Sequence, residues 1–312
     1  MKALYAIVFF TIIIFHVANS QEYTFMTRDQ IKNRLKDHLH KLTVEIGARS
    51  AEAQPLKLQE AALYIQEQIR AAGLKPETQN YQYKESVLSN IFVDKPGKSG
   101  KKASWTIVGA HYDSVANTPG ADDNASGTAV VLVLAEYLAS FPNPSPIRFV
   151  FFTAEEPPCF RTEYMGSRRY ASFIKEKGDK VHLAVCLDMV GYFQGEQSFP
   201  ESISKLLVSE KFHSPDFLLV TSGSKYGKVT MEFGEMLNKS QKLPFLPLII
   251  DLPGVHISDH ASFWEQGYPA LMITDTAFHR NPHYHSPQDT QDTLDYDKMA
   301  AFVEALAEAI KQ

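Results

Sequence analysis

The sequence predicts an α/β fold: a single domain with a central, mostly parallel mixed sheet and helices on both faces. Three observations carry that prediction. From residue 105 onward, short apolar runs alternate with amphipathic stretches of helical length, the pattern of strands joined through crossover helices. Several of the apolar runs end abruptly in an acid or an imidazole, which suits the carboxyl edge of such a sheet, where open α/β folds gather ligands. No internal repeat, low-complexity run or linker-like stretch divides the chain.

In chain order, residues 1–20 have the build of a secretory signal peptide. Lys2 is the basic leader, residues 3–17 the apolar core, and Ala18-Asn19-Ser20 a small-x-small cleavage site. About fifteen apolar residues fall short of the ~20 that a membrane span requires. The expectation is a secreted or periplasmic protein with no stable membrane span, its folded domain covering 21–312. Helical periodicity follows at 27–47 and 56–73, with Ile31, Leu35, Leu39 and Leu42 three or four apart, and each stretch ends at a glycine. Residues 81–83 and 89–94 alternate like strands, and the basic run 95–102, with its glycines and proline, reads as a hairpin turn. Strands are then predicted at 105–110, 147–153, 182–189, 217–221, 247–251 and 270–274. Helices are predicted at 125–140, 166–177, 227–237, 260–266 and 296–311. The least patterned segment, 193–214, is expected to be an inserted loop over the site.

Composition narrows the function. The formal charge is −5, and becomes −6 once Lys2 leaves with the leader. That balance argues against nucleic acid as a partner, since phosphate binding needs a basic face. Only Cys159 and Cys186 are available for a disulfide. A bridge and a pair of buried thiols both fit.

The chemistry concentrates in residues 107–127, IVGAHYDSVANTPGADDNASG. A strand runs into His111-Tyr112-Asp113, a Pro/Gly loop follows, and Asp122-Asp123-Asn124 leads into a helix. The His-x-Asp spacing has a mechanical reason: a metal-bound imidazole needs its second ring nitrogen held, and a nearby carboxylate does that. Farther on, the strand at 147–153 empties into Glu155-Glu156, the strand at 182–189 into Asp188, and His285 sits in a late loop. Singly, each has an ordinary explanation: a helix cap, a structural histidine, an exposed acidic pair. Jointly they do not, because buried strands seldom end in charge unless it is paired or bound to a cation.

These residues, with the 120–127 run GADDNASG, Leu187-Asp188-Met189, Ser258-Asp259-His260 and the 285–290 run HSPQDT, stand in the order of a known family. From about residue 56 to the C-terminus the chain resembles metallopeptidase family 28, the two-zinc exopeptidases typified by bacterial leucyl aminopeptidase. Glutamate carboxypeptidase and glutaminyl cyclase are relatives. The resemblance implies a zinc-peptidase/phosphorylase-hydrolase-like fold and two Zn2+ per chain. It implies His111, Asp123, Glu156, Asp188 and His285 as metal ligands, with Asp123 bridging. It further implies Glu155 as the catalytic base, Asp113 as the residue that orients His111, and a peptide or peptide-like small substrate. Donor chemistry agrees, since two cations about 3.5–4 Å apart need a shared carboxylate and roughly two more donors each.

Around this set, Asp122 reads as shaping its loop, and Asp289 as bracing the His285 imidazole or its loop. Asp259 and His260 resemble an element that braces a ligand or touches substrate. His256, His260, His279, His283 and His285 crowd together, and His279 and His283 read as loop residues near the mouth. Asn124 and Asn238 head glycosylation sequons, but Asn124 lies inside the site, so that match is taken as accidental. One departure stands out: residues 157–165, PPCFRTEYM, replace the family's short Gly-rich turn and are expected to form part of the pocket wall. Arg161, Arg168 and Arg169 either read a substrate carboxylate there or are solvated at a helix start.

Aminopeptidase action is the leading expectation, because a carboxylate-rich site reads an N-terminal amine. A carboxypeptidase would need a basic clamp, which those arginines keep open. A glutaminyl cyclase would use one zinc, and its loop differs at 122–127. A non-catalytic binding domain would have lost ligands, and none is missing here.

Overall fold

The computed structural model describes residues 26–98, 104–199, 214–251 and 257–311. The leader at 1–20, His256, and the larger part of the 193–214 segment lie outside the described residues. Eight strands make one sheet: β1 (Glu77–Tyr83), β2 (Ser86–Lys95), β3 (Trp105–His111), β4 (Ile147–Phe152), β5 (Val181–Leu187), β6 (Leu218–Ser222), β7 (Phe245–Ile249) and β8 (Ala270–Thr274), in the order β1-β2-β4-β3-β5-β8-β6-β7. The centre, β4-β3-β5-β8, is parallel throughout. Antiparallel pairing enters on one side at β1/β2 and β2/β4, and on the other at β6/β8.

Two sequence expectations need correction. β2 and β3, which flank the run 95–102, do not pair as a hairpin would require: β4 lies between them, and 99–102 lie outside the described residues. All six positions of β4 (IRFVFF) are buried. A strand with no exposed face is best satisfied with both edges hydrogen-bonded, and β4 finds β2 on one side and β3 on the other. The strand expected at 247–251 instead starts at Phe245, with Pro247 inside it. A proline, having no N–H, is tolerated there because β7 is the edge strand.

Alternation along the central strands sorts the core into two layers. Phe149, Phe151, Val108, Ala110, Val185, Leu187, Leu271 and Ile273 face one side of the sheet. There they meet α1 (Arg28–His40), α2 (Pro55–Ala71), α3 (Gly127–Leu138), α5 (Gly227–Lys239) and α7 (Tyr296–Ile310). Val150, Phe152, Ile107, Ala184, Cys186 and Ala270 face the other side, against α4 (Gly166–Glu176) and α6 (His260–Glu265). The expected helices on both faces are therefore present. α3 is the innermost helix: its first nine residues are all buried, which explains a sequence apolar all round.

α1 starts at a reciprocal capping box, in which the Gln30 N–H donates to Thr27 Oγ1 (3.3 Å) and the Thr27 N–H to Gln30 Oε1 (2.8 Å). Its buried stripe is Ile31, Leu35, His38 and Leu39. His38 is 1% exposed, and its Nδ1 lies 2.7 Å from the Tyr64 hydroxyl. Burial, and secondarily the Arg34 charge, lower its pKa to about 3. The folded protein thus keeps His38 neutral while the unfolded chain protonates it near pH 6.5. Below that pH the unfolded state binds the extra proton, so stability falls with falling pH, by at most roughly 1.4 kcal/mol per unit, until about pH 3. Urea unfolding at pH 7 and pH 5 should show His38→Gln losing about 2 kcal/mol less than the parent between the two. Parallel stability–pH curves would contradict this account of His38.

Candidate metal centre

The carboxyl ends of β4, β3, β5 and β8 lie side by side, and the loops leaving them carry the acids and imidazoles. His111 is the last residue of β3, Asp188 follows β5 directly, and Glu155-Glu156 follow β4 by three residues. His285 arrives from the long connection between β8 and α7. Asp123 sits in the turn between β3 and α3, where the backbone at Asp123 and Asn124 leaves helical geometry.

These five side chains converge. His111 Nε2 lies 3.4 Å from Asp123 Oδ1 and 3.7 Å from Asp188 Oδ1. His285 Nε2 lies 3.1 Å from Asp123 Oδ2 and 3.4 Å from Glu156 Oε1. Asp123 therefore turns one oxygen to each of two donor groups, His111/Asp123/Asp188 and Asp123/Glu156/His285. Within each group the donor atoms lie within 4.8 Å of one another. Among the described residues, His111 Nε2 and Glu156 Oε1 are buried without a hydrogen-bond partner. Orphaned buried polar atoms at hydrogen-bonding cost need an occupant, and imidazole plus carboxylate is the donor chemistry that zinc accepts. The residues fit the metal.

The surrounding carboxylates hold backbone. Asp113 stands 3.4 Å from His111 Nδ1 and accepts the N–H groups of Glu155 and Glu156, both at 3.0 Å. Asp289 departs from expectation. It accepts the N–H groups of Asp122 (2.9 Å) and Asp123 (3.1 Å), so it braces the bridging loop, whose amides lack helical partners at the kink. Asp122 shapes the loop as read, accepting from Gly191 N–H (2.9 Å) and Asn281 Nδ2 (2.8 Å). Asn124 is buried and donates to the Leu187 carbonyl (2.8 Å), which makes its sequon match accidental. The Asn238 amide is committed to the Phe245 backbone in both directions, at 2.8 and 2.9 Å.

Electrostatics follow from this crowding. Burial alone would raise Asp123, but the His111 and His285 imidazoles hold it well below the carboxylate range. Burial would lower His111, but Asp113, Asp123 and Asp188 lift it well above the ordinary histidine value. His285 shows the same balance: burial opposes, while Asp123 and Glu156 push it up to about 10. Burial, helped by Asp123, pushes Glu156 up to about 8 against the pull of both imidazoles. Glu155 is raised well above a normal glutamate, first by burial, with His111 opposing and Glu156, Asp188 and Asp259 adding to it. Carboxyl groups outnumber imidazoles here, and bound cations would stabilise their charged forms.

A cavity of about 300 Å3 opens onto these groups, walled by Phe160, Met189, Ile257, Phe278 and Tyr284. Its wall includes two residues of the 157–165 insert, Pro157 and Phe160. A larger cavity, about 380 Å3, lies between Thr106, His182, Phe233 and Ile310, away from the acids, so size does not identify the site. Tyr284 escaped the sequence reading. Its ring stacks on the His285 imidazole at 3.7 Å between centroids and 20° between planes. The one available signal was its place directly before His285. Ala154, Met189 and His285 have φ of 54° each, left-handed backbone in non-glycine residues beside or at the donor positions. Such conformations cost on the order of 1–3 kcal/mol apiece and cluster at functional sites.

Asp259 is buried and within electrostatic reach of Glu155; burial first, against His111, raises it to about 7. His260 sits edge-on against Trp264 at 4.6 Å, and His283 edge-on against Tyr192 at 6.2 Å. His279 packs on Phe278 at 4.3 Å. Arg168 forms a two-pronged pair with Glu265 (2.8 and 2.5 Å), and Arg169 lies 5.4 Å from both the Tyr81 and Tyr164 rings. Arg161 stacks over Phe160 at 5.2 Å. Each of the three arginines thus contacts a protein group. Cys159 and Cys186 are separate buried thiols.

Comparison with known proteins gives the family of the chain. The sequence profile of peptidase family M28 matches residues 90–310. The chain is 34% identical to the uncharacterised protein YfbL of Escherichia coli, over 88% of this chain and 85% of that one. It is 31% identical to a probable leucine aminopeptidase of Trichophyton verrucosum, over 77% of this chain and 62% of the fungal protein. Among solved structures, BSAP, a zinc aminopeptidase from Bacillus subtilis, superposes with a TM-score of 0.71 at 17% identity, covering 89% of this chain and 94% of its own. The glutaminyl cyclase of Tannerella forsythia superposes with a TM-score of 0.64 at 20% identity, covering 93% and 99%. At those identities the two structures speak for the shared fold alone. The profile match over most of the chain decides the larger question, and the chain belongs to peptidase family M28.

Proposed function

We propose that this protein is a zinc-dependent aminopeptidase that removes N-terminal residues from peptides, using two cations held by His111, Asp123, Glu156, Asp188 and His285. The observation that carries the proposal is the pair of donor groups sharing Asp123, with Glu155 beside them in the same cavity. Family membership and relatives called leucine aminopeptidase support it. When bound, such cations supply Lewis acidity, lowering the pKa of water and polarising a carbonyl.

The chain's own residues do the rest. Asp113 fixes the His111 ring and, through the 155 and 156 amides, the position of the Glu155 carboxylate. That carboxylate takes a proton from the attacking water as its oxygen adds to the scissile carbonyl carbon. It then delivers the proton to the departing amine nitrogen as the C–N bond breaks. Tyr284 faces the cavity with its hydroxyl held protonated, raised by burial and by the carboxylates of Asp123, Glu156, Asp188 and Glu155. In this reading its hydroxyl donates a hydrogen bond to the developing oxyanion. Carboxylates that do not hold a cation would attract the substrate's ammonium, and the apolar wall takes an apolar first side chain.

A panel of aminoacyl arylamides, free and acetylated at the amine, tests this reading. Free leucyl and phenylalanyl arylamides should turn over at least about 100-fold faster than the blocked forms, if the ammonium contact contributes about 2–3 kcal/mol. Chelator should abolish the activity and zinc restore it. Equal cleavage of blocked substrates, or turnover that survives chelation, would contradict the proposal. Conversion of an N-terminal glutaminyl peptide to its pyroglutamyl form without hydrolysis would make the enzyme a cyclase instead.

A further inference from the structure

Arg49 lies in the N-terminal segment ahead of the region matched by the family profile, and it is 0% exposed. Its position follows from the end of α1, where the chain widens into a π-type turn at Lys41–Ile46 and closes at Gly47, with φ of 78°. The guanidinium that follows donates only to backbone carbonyls. Nε donates to Tyr112 O (2.6 Å), Nη2 to Gly120 O (2.9 Å), and Nη1 to Pro119 O (2.5 Å), Gly47 O (3.3 Å) and Leu42 O (3.4 Å). It forms no salt bridge among the described residues, and the carboxylates of Asp113, Asp289, Asp123 and Glu156 act on it only at longer range. A buried, unpaired guanidinium is costly unless every donor is engaged, and here its rigid fork of donors is spread over five carbonyls.

Three of those carbonyls belong to the connection between His111 and Asp123. Tyr112 is the neighbour of His111, and Gly120 precedes Asp123 by three residues. The Arg49 backbone N–H adds a bond to Ser114 Oγ (3.2 Å), which itself donates to Thr118 O (3.0 Å). One residue therefore ties both ends and the middle of the loop that joins a terminal donor to the shared one. Gly120 itself is left-handed, with φ of 56°, and a side chain there would run into the Asp123 carbonyl. The loop is compact, and it is fastened from outside by Arg49.

We propose that Arg49 is a positioning residue for the metal centre: by holding the carbonyls of Tyr112, Pro119 and Gly120 it fixes the separation of His111 and Asp123. The N-terminal helical segment is then part of the site's construction, although none of its described residues lines the cavity. This inference rests on the reading that the site holds cations, and its test reads metal binding as well as turnover.

The full-length protein and its Arg49→Lys and Arg49→Gln variants would be compared by circular dichroism, by zinc affinity in competition with a chromophoric chelator, and by the visible spectrum of the cobalt-loaded forms. Arg49→Gln should remain folded yet bind zinc 10–100-fold more weakly, the usual effect of removing a group that orients ligands, with an altered cobalt spectrum. Arg49→Lys, which keeps the charge and some donation, should recover part of that loss. At saturating zinc, kcat should fall while KM for a leucyl arylamide stays within about threefold. A folded Arg49→Gln protein with parental zinc affinity and cobalt spectrum would overturn the inference, whatever its melting temperature. Should Arg49→Gln not fold, Ser114→Ala loosens the same loop more gently and should weaken zinc binding several-fold; unchanged zinc binding there overturns the inference equally. A parent protein that takes up neither zinc nor cobalt would sink the reading of the site and this inference together.

Discussion

Glu155→Gln is expected to bind metal as the parent does and to hydrolyse arylamides about 10^2–10^4-fold more slowly, the range for loss of a positioned general base. Glutamine has nearly the shape of glutamate, so the Asp113 bonds to the 155 and 156 amides persist. What disappears is the proton-accepting carboxylate. The loss should fall on kcat, because proton transfer is needed in the transition state and not in binding. Zinc content and arylamide kinetics on the same preparation check this. A variant that keeps full turnover would remove Glu155 from the mechanism, and one that loses its metal would make it a ligand.

Asp123→Asn should do the opposite, weakening cation binding first and activity in consequence. Asp123 is the only residue common to both donor groups, one oxygen 3.4 Å from His111 and the other 3.1 Å from His285. An amide offers a single neutral oxygen in place of two charged ones, so both positions lose a donor or a charge. Titration should show both affinities reduced, against a selective loss at one position for His111→Ala or His285→Ala. Full metal occupancy in Asp123→Asn would contradict bridging.

Much of this arrangement was legible in the sequence. Apolar runs that end in His111, Glu155 and Asp188 announce strands whose carboxyl ends meet at one edge, because charge is expelled from a buried strand and must be used where the strand stops. What stayed hidden depends on long-range geometry. Nothing local distinguishes Arg49 from a surface arginine, since the three carbonyls by which it holds the site loop are some 63 to 71 residues away. Asp289 looked like a partner for its neighbour His285, but the amides left free by the 121–126 kink draw it to the other loop. The insertion of β4 between β2 and β3 is a pairing choice, and pairing is not written in the periodicity of any one strand. The left-handed backbone at Ala154, Met189 and His285 defies propensity altogether. The surrounding packing imposes it.

The most direct test is anomalous diffraction at the zinc edge from crystals of the zinc-loaded protein. The account predicts two peaks about 3.5–4 Å apart, one bonded to His111 and Asp188, the other to Glu156 and His285, with a carboxylate oxygen of Asp123 reaching each. A single peak, peaks bonded to other residues, or none would contradict it.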